Sequence, residues 1–194
     1  MASGIIQKAM EEKCMNKEIY CYLREDTDYA VLEQIAETLN IAVYPLDDGM
    51  MDKTVSEILQ HPQKTGKGCT RFDLSFMLLN NIDDDDLKSL HEQTTASFQG
   101  DKPVKMMVTE HNRTWPLAYL FEEVSKEHRL FAQVEEISAM MKKLNDVNMT
   151  DWDNAKKEKM KMAVMKAYIL LNSGNFTEQN VEESYTELKE LTGE

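Results

Sequence analysis

The chain has 194 residues, 42% of them hydrophobic and 29% charged, and a formal net charge of −13. That is enough length and apolar content for one ordinary domain or two small ones. The acid excess repels phosphate backbones, and no basic patch interrupts it, because Lys156, Lys157, Lys159 and Lys161 alternate with apolar helix positions; nucleic acid is therefore excluded as a partner. No apolar stretch approaches the length of a membrane span, so a membrane is excluded too.

The first ten residues lack a basic start and a long apolar core, and do not read as a signal peptide, which favours the cytoplasm. They read either as a frayed helix or as residues upstream of a start at Met15. Ile19 to Leu23 is β-branched and aromatic and predicts a strand. Asp26 or Thr27 then caps a helix with Val31, Leu32, Ile35, Ala36 and Leu39 inward. Ile41 to Tyr44 predicts a second strand, and Asp47-Asp48-Gly49 a turn. Thr54 and Glu57 form a capping box opening a short helix with Val55, Ile58 and Leu59 inward. His61 to Thr70 reads as loop. Leu74 to Leu79 is a continuous apolar run, as in a strand buried on both faces. Asp83 to Asp86 open a helix through Leu87 and Leu90, Ser97 to Pro103 is loop, and Val104 to Val108 predicts the fourth strand. A polar loop from Thr109 leads to a helix opening at Trp115-Pro116, with Leu117, Leu120, Phe121 and Val124 at helical spacing.

Strand followed by helix, four times, predicts an α/β fold with a mainly parallel four-stranded sheet and flanking helices. Ile41 to Leu59 and Val104 to Phe121 echo one another, so either two β-α-β-α halves or two coincidentally similar units are implied. Beyond Glu127 no strand signal remains. Phe131, Val134, Ile137, Met140, Met141 and Leu144 form one stripe; Thr150 to Asp153 cap a helix carrying Met160, Val164, Ala167, Tyr168 and Leu171; Asn172 to Asn175 stop it. Thr177 caps a last helix with Val181, Tyr185, Leu188 and Leu191. These three helices predict a C-terminal three-helix bundle, giving an α/β domain at 15–130 and a bundle at 131–194.

Two resemblances accompany this reading. Met77-Leu78-Leu79, Asp83 to Asp86, and the strand–helix words Thr109, Asn112, Trp115, Leu120, Glu122, Glu123 and Glu127 make Ile19 to His128 resemble an uncharacterised bacterial family of small α/β domains. Its Thr-x-x-Asn-x-x-Trp motif is the specific element, and the resemblance implies no activity. Met149 to Trp152, Ala167 to Leu171, Asn175 to Thr177, Val181 and Leu188 make the tail similar to the three-helix FIVAR repeat, which implies a spacer or docking bundle.

The chemistry is sparse. Thr109 and Asn112 could fix a polar ligand at the carboxyl end of the fourth strand, with Trp115 stacking on it. The structural reading, which the flanking core positions favour, has Asn112 or Thr114 bonding loop backbone and Trp115 packing under the helix. Glu25/Asp26/Asp28, Asp47/Asp48/Asp52 and Asp83 to Asp86 would gather at one end of a parallel sheet and could bind Mg²⁺ there, but each cluster also opens a helix, where acids satisfy N–H groups. His61, His91, His111 and His128 have no metal-ligand spacing, so no metal site is expected; His111 is the one candidate acid–base group. Cys14, Cys21 and Cys69 form no framework, and Gly66-Lys67-Gly68 lacks the features of a phosphate loop. Met162 and Met165, among fourteen methionines, read as core.

The expected function is a non-catalytic interaction or ligand-sensing module, without cofactor, whose ligand-binding residues are Thr109, His111, Asn112 and Trp115. A protein partner or self-association through the C-terminal helices is expected. The alternative is a small divalent-metal-dependent enzyme acting on a phosphorylated small molecule.

Overall fold

A computed structural model describes residues 16–64, 69–144 and 152–192. The Gly66-Lys67-Gly68 loop, Cys14, and the Thr150-Asp151 part of the predicted cap lie outside these residues. The chain divides into two compact units between Val124 and Ser125, within one helix.

The first unit contains β1 (Glu18–Tyr22), α1 (Asp26–Thr38), β2 (Ala42–Pro45), α2 (Val55–Gln60), β3 (Phe76–Asn80), α3 (Asp84–Ser97), β4 (Val104–Met107) and the start of α4 (Leu117–Leu144). Local signals account for the elements. Thr54 and Glu57 form the expected reciprocal capping box on α2. The Asp83 carboxylate caps α3 by accepting from Asp86 N–H at 2.9 Å. β3 is buried along its whole length, in keeping with its unbroken apolar run.

The four strands form a mixed sheet, in the order β2-β1-β3-β4, not a mainly parallel one. β1 and β2 are parallel, β3 and β4 are parallel, and β1 lies antiparallel to β3. The reason is α2. A helix of six residues followed by a long irregular stretch is not a crossover, and it lets β3 return beside β1 in the opposite sense. The correction moves the acidic clusters. Glu25, Asp26, Asp47 and Asp48 follow β1 and β2 at one end of the strands; Asp83 to Asp86 follow β3 at the other end. Lys17, just ahead of β1, ion-pairs with Asp83 at 2.7 Å and with Asp86, which fixes that second location.

The two halves are arranged about an approximate two-fold axis. Tyr20 faces Leu78 across the central antiparallel pair, and Asp26 and Asp84 open the next helices at the same sequence separation. Tyr44 beside Tyr20 corresponds to Met106 beside Leu78. Thr54 forms an antiparallel bridge with its counterpart Pro116. Val55 N–H donates to Trp115 C=O at 3.0 Å and Leu117 N–H to Lys53 C=O at 2.9 Å, a symmetric exchange. The echoing segments seen in sequence thus occupy equivalent places.

Each sheet face has its own core. Tyr20, Tyr22, Phe76 and Leu78 pack with α2 and α4; Ile19, Cys21, Met77 and Leu79 pack with α1 and α3. Phe121 stacks on Phe76 at a centroid distance of 4.2 Å and meets Tyr22 edge-on at 5.6 Å. Removing so enclosed a ring costs about 3–5 kcal/mol.

The second unit contains the rest of α4, α5 (Asn154–Ser173) and α6 (Glu178–Thr192). Ile137, Met140 and Leu144, then Met160, Ala163, Ala167 and Leu170, then Val181, Leu188 and Leu191 share one apolar cluster. Gly174 ends α5 with φ +63, a left-handed position that glycine adopts without strain. The buried face of α5 is rotated from the expected stripe. Tyr168 is 62% exposed, and Met162 and Met165, read as core, are also exposed. Ala163 and Ala167 take the inward positions, where small side chains let helices approach.

Candidate functional site

β4 ends where Val108 N–H donates to Leu79 C=O at 2.8 Å, and the loop carrying the expected site begins at Thr109. Thr109 and Asn112 do meet, but they bond the loop itself. Thr109 N–H donates to Asn112 Oδ1 at 2.8 Å, and Asn112 N–H to Thr109 Oγ1 at 3.2 Å. Asn112 Nδ2 donates to Met107 C=O at 2.9 Å. Asn112 is 9% exposed, so both ends of its amide satisfy backbone groups that the end of β4 would otherwise leave open. Trp115 N–H then donates to Asn112 C=O at 3.1 Å, closing a 3-10 turn over Asn112–Thr114.

The locked loop holds a row of aromatic side chains. The Trp115 ring is partly buried against the core under α4. His111 meets it edge-on at 4.9 Å on one side and Tyr119 edge-on at 4.9 Å on the other. His111 is exposed, and Tyr119, one turn into α4, is 46% exposed. Tyr119 escaped the sequence reading, which took only the apolar positions of α4; its spacing of four from Trp115 was the available signal. Arg113 Nε is buried without a hydrogen bond, with the Glu110 carboxylate 3.7 Å away.

The opposite edge of the sheet carries other polar groups. Asp48 is a junction there. Tyr22 donates to its Oδ1 at 2.6 Å, and Thr70 donates to Oδ2 through N–H at 3.1 Å and hydroxyl at 2.8 Å. The Tyr22 bond, followed by those from Thr70 and Arg71, holds the Asp48 carboxyl below its ordinary range. Beside it, Arg24, Asp26, Tyr29, Glu33, Pro45 and Cys69 help to line a cleft of about 780 Å³. Burial pushes the Cys69 thiol up to about 11, so it is protonated at neutral pH and is not an activated nucleophile. Cys21 is buried and its thiol pushed up further by the same cause.

With Asp26 and Asp48 at one end of the strands and Asp83, Thr109 and Asn112 at the other, the gathering of acids on which metal-assisted phosphate chemistry depended is overturned. Among the described residues no group of three or more histidines, cysteines or carboxylates is placed to hold a metal ion. No helix of the described residues is long and apolar enough to cross a membrane.

Residues 75–131 match a family model described as a domain of unknown function (DUF3783). The matched stretch runs from β3 through α3, β4 and the Thr109–Trp115 loop into α4, which is the second half of the sheet unit. No curated protein and no solved structure matches the chain. The matched domain carries no assigned activity.

Proposed function

We propose that this protein is a non-catalytic interaction module whose recognition surface is the His111–Trp115–Tyr119 face. The observation that carries the proposal is the division of labour in the loop. Thr109 and Asn112 spend their polar groups on backbone, while the aromatic side chains they position are left partly open. A rigid loop presenting a partly exposed tryptophan flanked by histidine and tyrosine is suited to protein recognition, where aromatic anchors contribute most of the binding energy. Within the initially expected set, Thr109 and Asn112 become positioning residues, and His111 and Trp115 remain contact residues.

The same proposal takes residues 15–130 as an α/β domain and 131–194 as a three-helix bundle of FIVAR-like type. Separate apolar clusters support two units, with Leu130 packing on the helical side. Exposed Met162, Met165, Tyr168 and Ile169 on α5 support docking or self-association through the tail. A bacterial source and a cytoplasmic location belong to the proposal and rest on the sequence.

The test replaces Tyr119 in the full chain by a photo-cross-linking phenylalanine analogue. The expected result is one dominant cross-linked protein, reduced when His111→Ala is added. Adducts that form equally well from an analogue placed at Glu37, exposed on α1 at the other face of the sheet, would overturn the assignment.

A further inference from the structure

The approximate two-fold axis gives the sheet two equivalent clefts. Asp26, Tyr29, Glu33 and Pro45 of the first correspond to Asp84, Leu87, His91 and Met107 of the second. The second is a groove of about 430 Å³ beside the edge strand β4. The two differ in what closes them. Cys69 and Thr70, in an irregular stretch, wall the first; Cys69 Sγ lies 3.2 Å from Leu46 C=O, and Thr70 is tied to Asp48. Among the described residues, the second is lined by β3, α3 and β4. Among the described residues, an irregular stretch lies against the first cleft and none lies at the equivalent place beside β4.

The open groove has an apolar floor and a cationic rim. Leu79, Leu87 and Met107 supply the apolar surface, and Lys88 and Lys105, with His91 beside them, stand against a single lining acid, Asp84. The two lysines are particular to this half, since the corresponding positions in the first are Ala30 and Val43. They are conspicuous in a chain of net charge −13. Among the described residues neither Lys88 nor Lys105 has a carboxylate partner within ion-pair distance. Burial, and then the nearby Lys102 charge, holds the Lys105 ammonium below its ordinary pKa, as for a cation short of compensation.

The backbone of β4 adds direction. Val104 and Val108 N–H groups donate to Ser75 and Leu79 of the β3 side, both at 2.8 Å. Strand alternation then turns the N–H groups of Lys105 and Met107 towards the open edge. Asn112 already occupies Met107 C=O, so the edge is capped at its carboxyl end and open ahead of it.

From these features we infer that the β4 edge and its groove bind an extended acidic peptide segment of another protein. The segment adds as a fifth strand, with apolar side chains over Leu87 and Met107 and carboxylates to Lys88 and Lys105. This surface is separate from the His111–Trp115–Tyr119 row, so the two readings fail independently.

The test is fluorescence anisotropy with the full chain and a labelled peptide Glu-Thr-Val-Thr-Glu-Thr-Val-Thr, whose glutamates and valines alternate along one strand face. Binding is expected, and Lys105→Glu should weaken it by at least about tenfold. A peptide with lysine in place of glutamate should reverse the preference, binding Lys105→Glu better than the parent. Met107→Pro, which deletes an outward N–H, should lose binding while circular dichroism stays unchanged; if that variant unfolds, the charge swap decides alone. No binding at about 1 mM peptide, equal binding of the two peptides, indifference to Lys105→Glu, or sedimentation showing a second copy of the chain on β4 would each overturn the inference.

Discussion

Asn112→Ala tests the claim that this residue builds the loop and does not serve a ligand. The substitution removes two hydrogen bonds, to Thr109 N–H at 2.8 Å and to Met107 C=O at 2.9 Å, from a side chain that is almost wholly buried. A typical net contribution is about 1 kcal/mol per bond, and a group left unpaired in a buried place costs more. Met107 is 37% exposed, so water can reach its carbonyl and relieve part of that cost. The expected loss is therefore about 2 kcal/mol. With a urea slope of about 1–2 kcal/mol/M, the unfolding midpoint should fall by roughly 1–2 M. Trp115 fluorescence in a Trp152→Phe background makes the measurement report the first unit. Asn112→Asp keeps the acceptor and loses the donor, so it should fall between parent and alanine variant. An alanine variant within a few tenths of a kcal/mol of the parent would refute the reasoning and return Asn112 to the set of groups available to a ligand.

Other outcomes follow from the same structure. Trp115→Ala should cost about 1.5–3 kcal/mol, less than the full core value, because one side of the ring is open; acrylamide should quench the parent indole partially, and a fully shielded ring would contradict this. Asp48 and Asp83 are held below their ordinary pKa, so the stability they contribute is present above the unfolded-state value of about 3.9 and is lost as pH falls through the folded values. Asp48→Asn should lower the urea midpoint at pH 7 and flatten its decline below about pH 4; an unchanged acid limb would count against the Asp48 junction. Asp28 has the opposite sign, because burial and then Glu25 raise its pKa. Its charged form is a burden at neutral pH, so Asp28→Asn should stabilise at pH 7 and give no gain near pH 3, and a destabilised variant at pH 7 would refute this.

The strands, the caps and the apolar faces were legible because each rests on local chemistry. The Thr54/Glu57 box, the Asp83 cap and the doubly buried β3 are all set within a few residues. Strand direction was not legible. It depends on whether the chain after α2 crosses over the sheet or returns beside β1, and residues 61–75 carry no pattern that decides this. The error propagated, because a parallel sheet would have put Asp26 and Asp83 together, whereas Lys17 bonds Asp83 at the far end of the strands. The motif Thr-x-x-Asn-x-x-Trp left two uses open, a ligand site or a self-bonded loop, and the backbone bonds favoured for Asn112 are the ones present. Asn112 is satisfied by the carbonyl of Met107 and the amide of Thr109, and main-chain groups have no residue identity to read. On α5 the expected Met160 and Ala167 are buried, but Tyr168 and Met162 are exposed while Ala163 and Leu170 turn inward, because Met162 and Tyr168 look as apolar in sequence as Ala163.

The central claim is that the loop's polar residues build a surface on which its aromatic residues recognise a protein. Titration calorimetry of the partner identified by cross-linking, against the parent and against Tyr119→Ser, tests it most directly. Tyr119 is nearly half exposed, so the variant should stay folded, with a urea midpoint lowered less than in Trp115→Ala. Its affinity should fall by about 2 kcal/mol, roughly thirtyfold, as for an aromatic anchor removed from an interface. Parent-like affinity in a fully folded Tyr119→Ser protein would contradict the account.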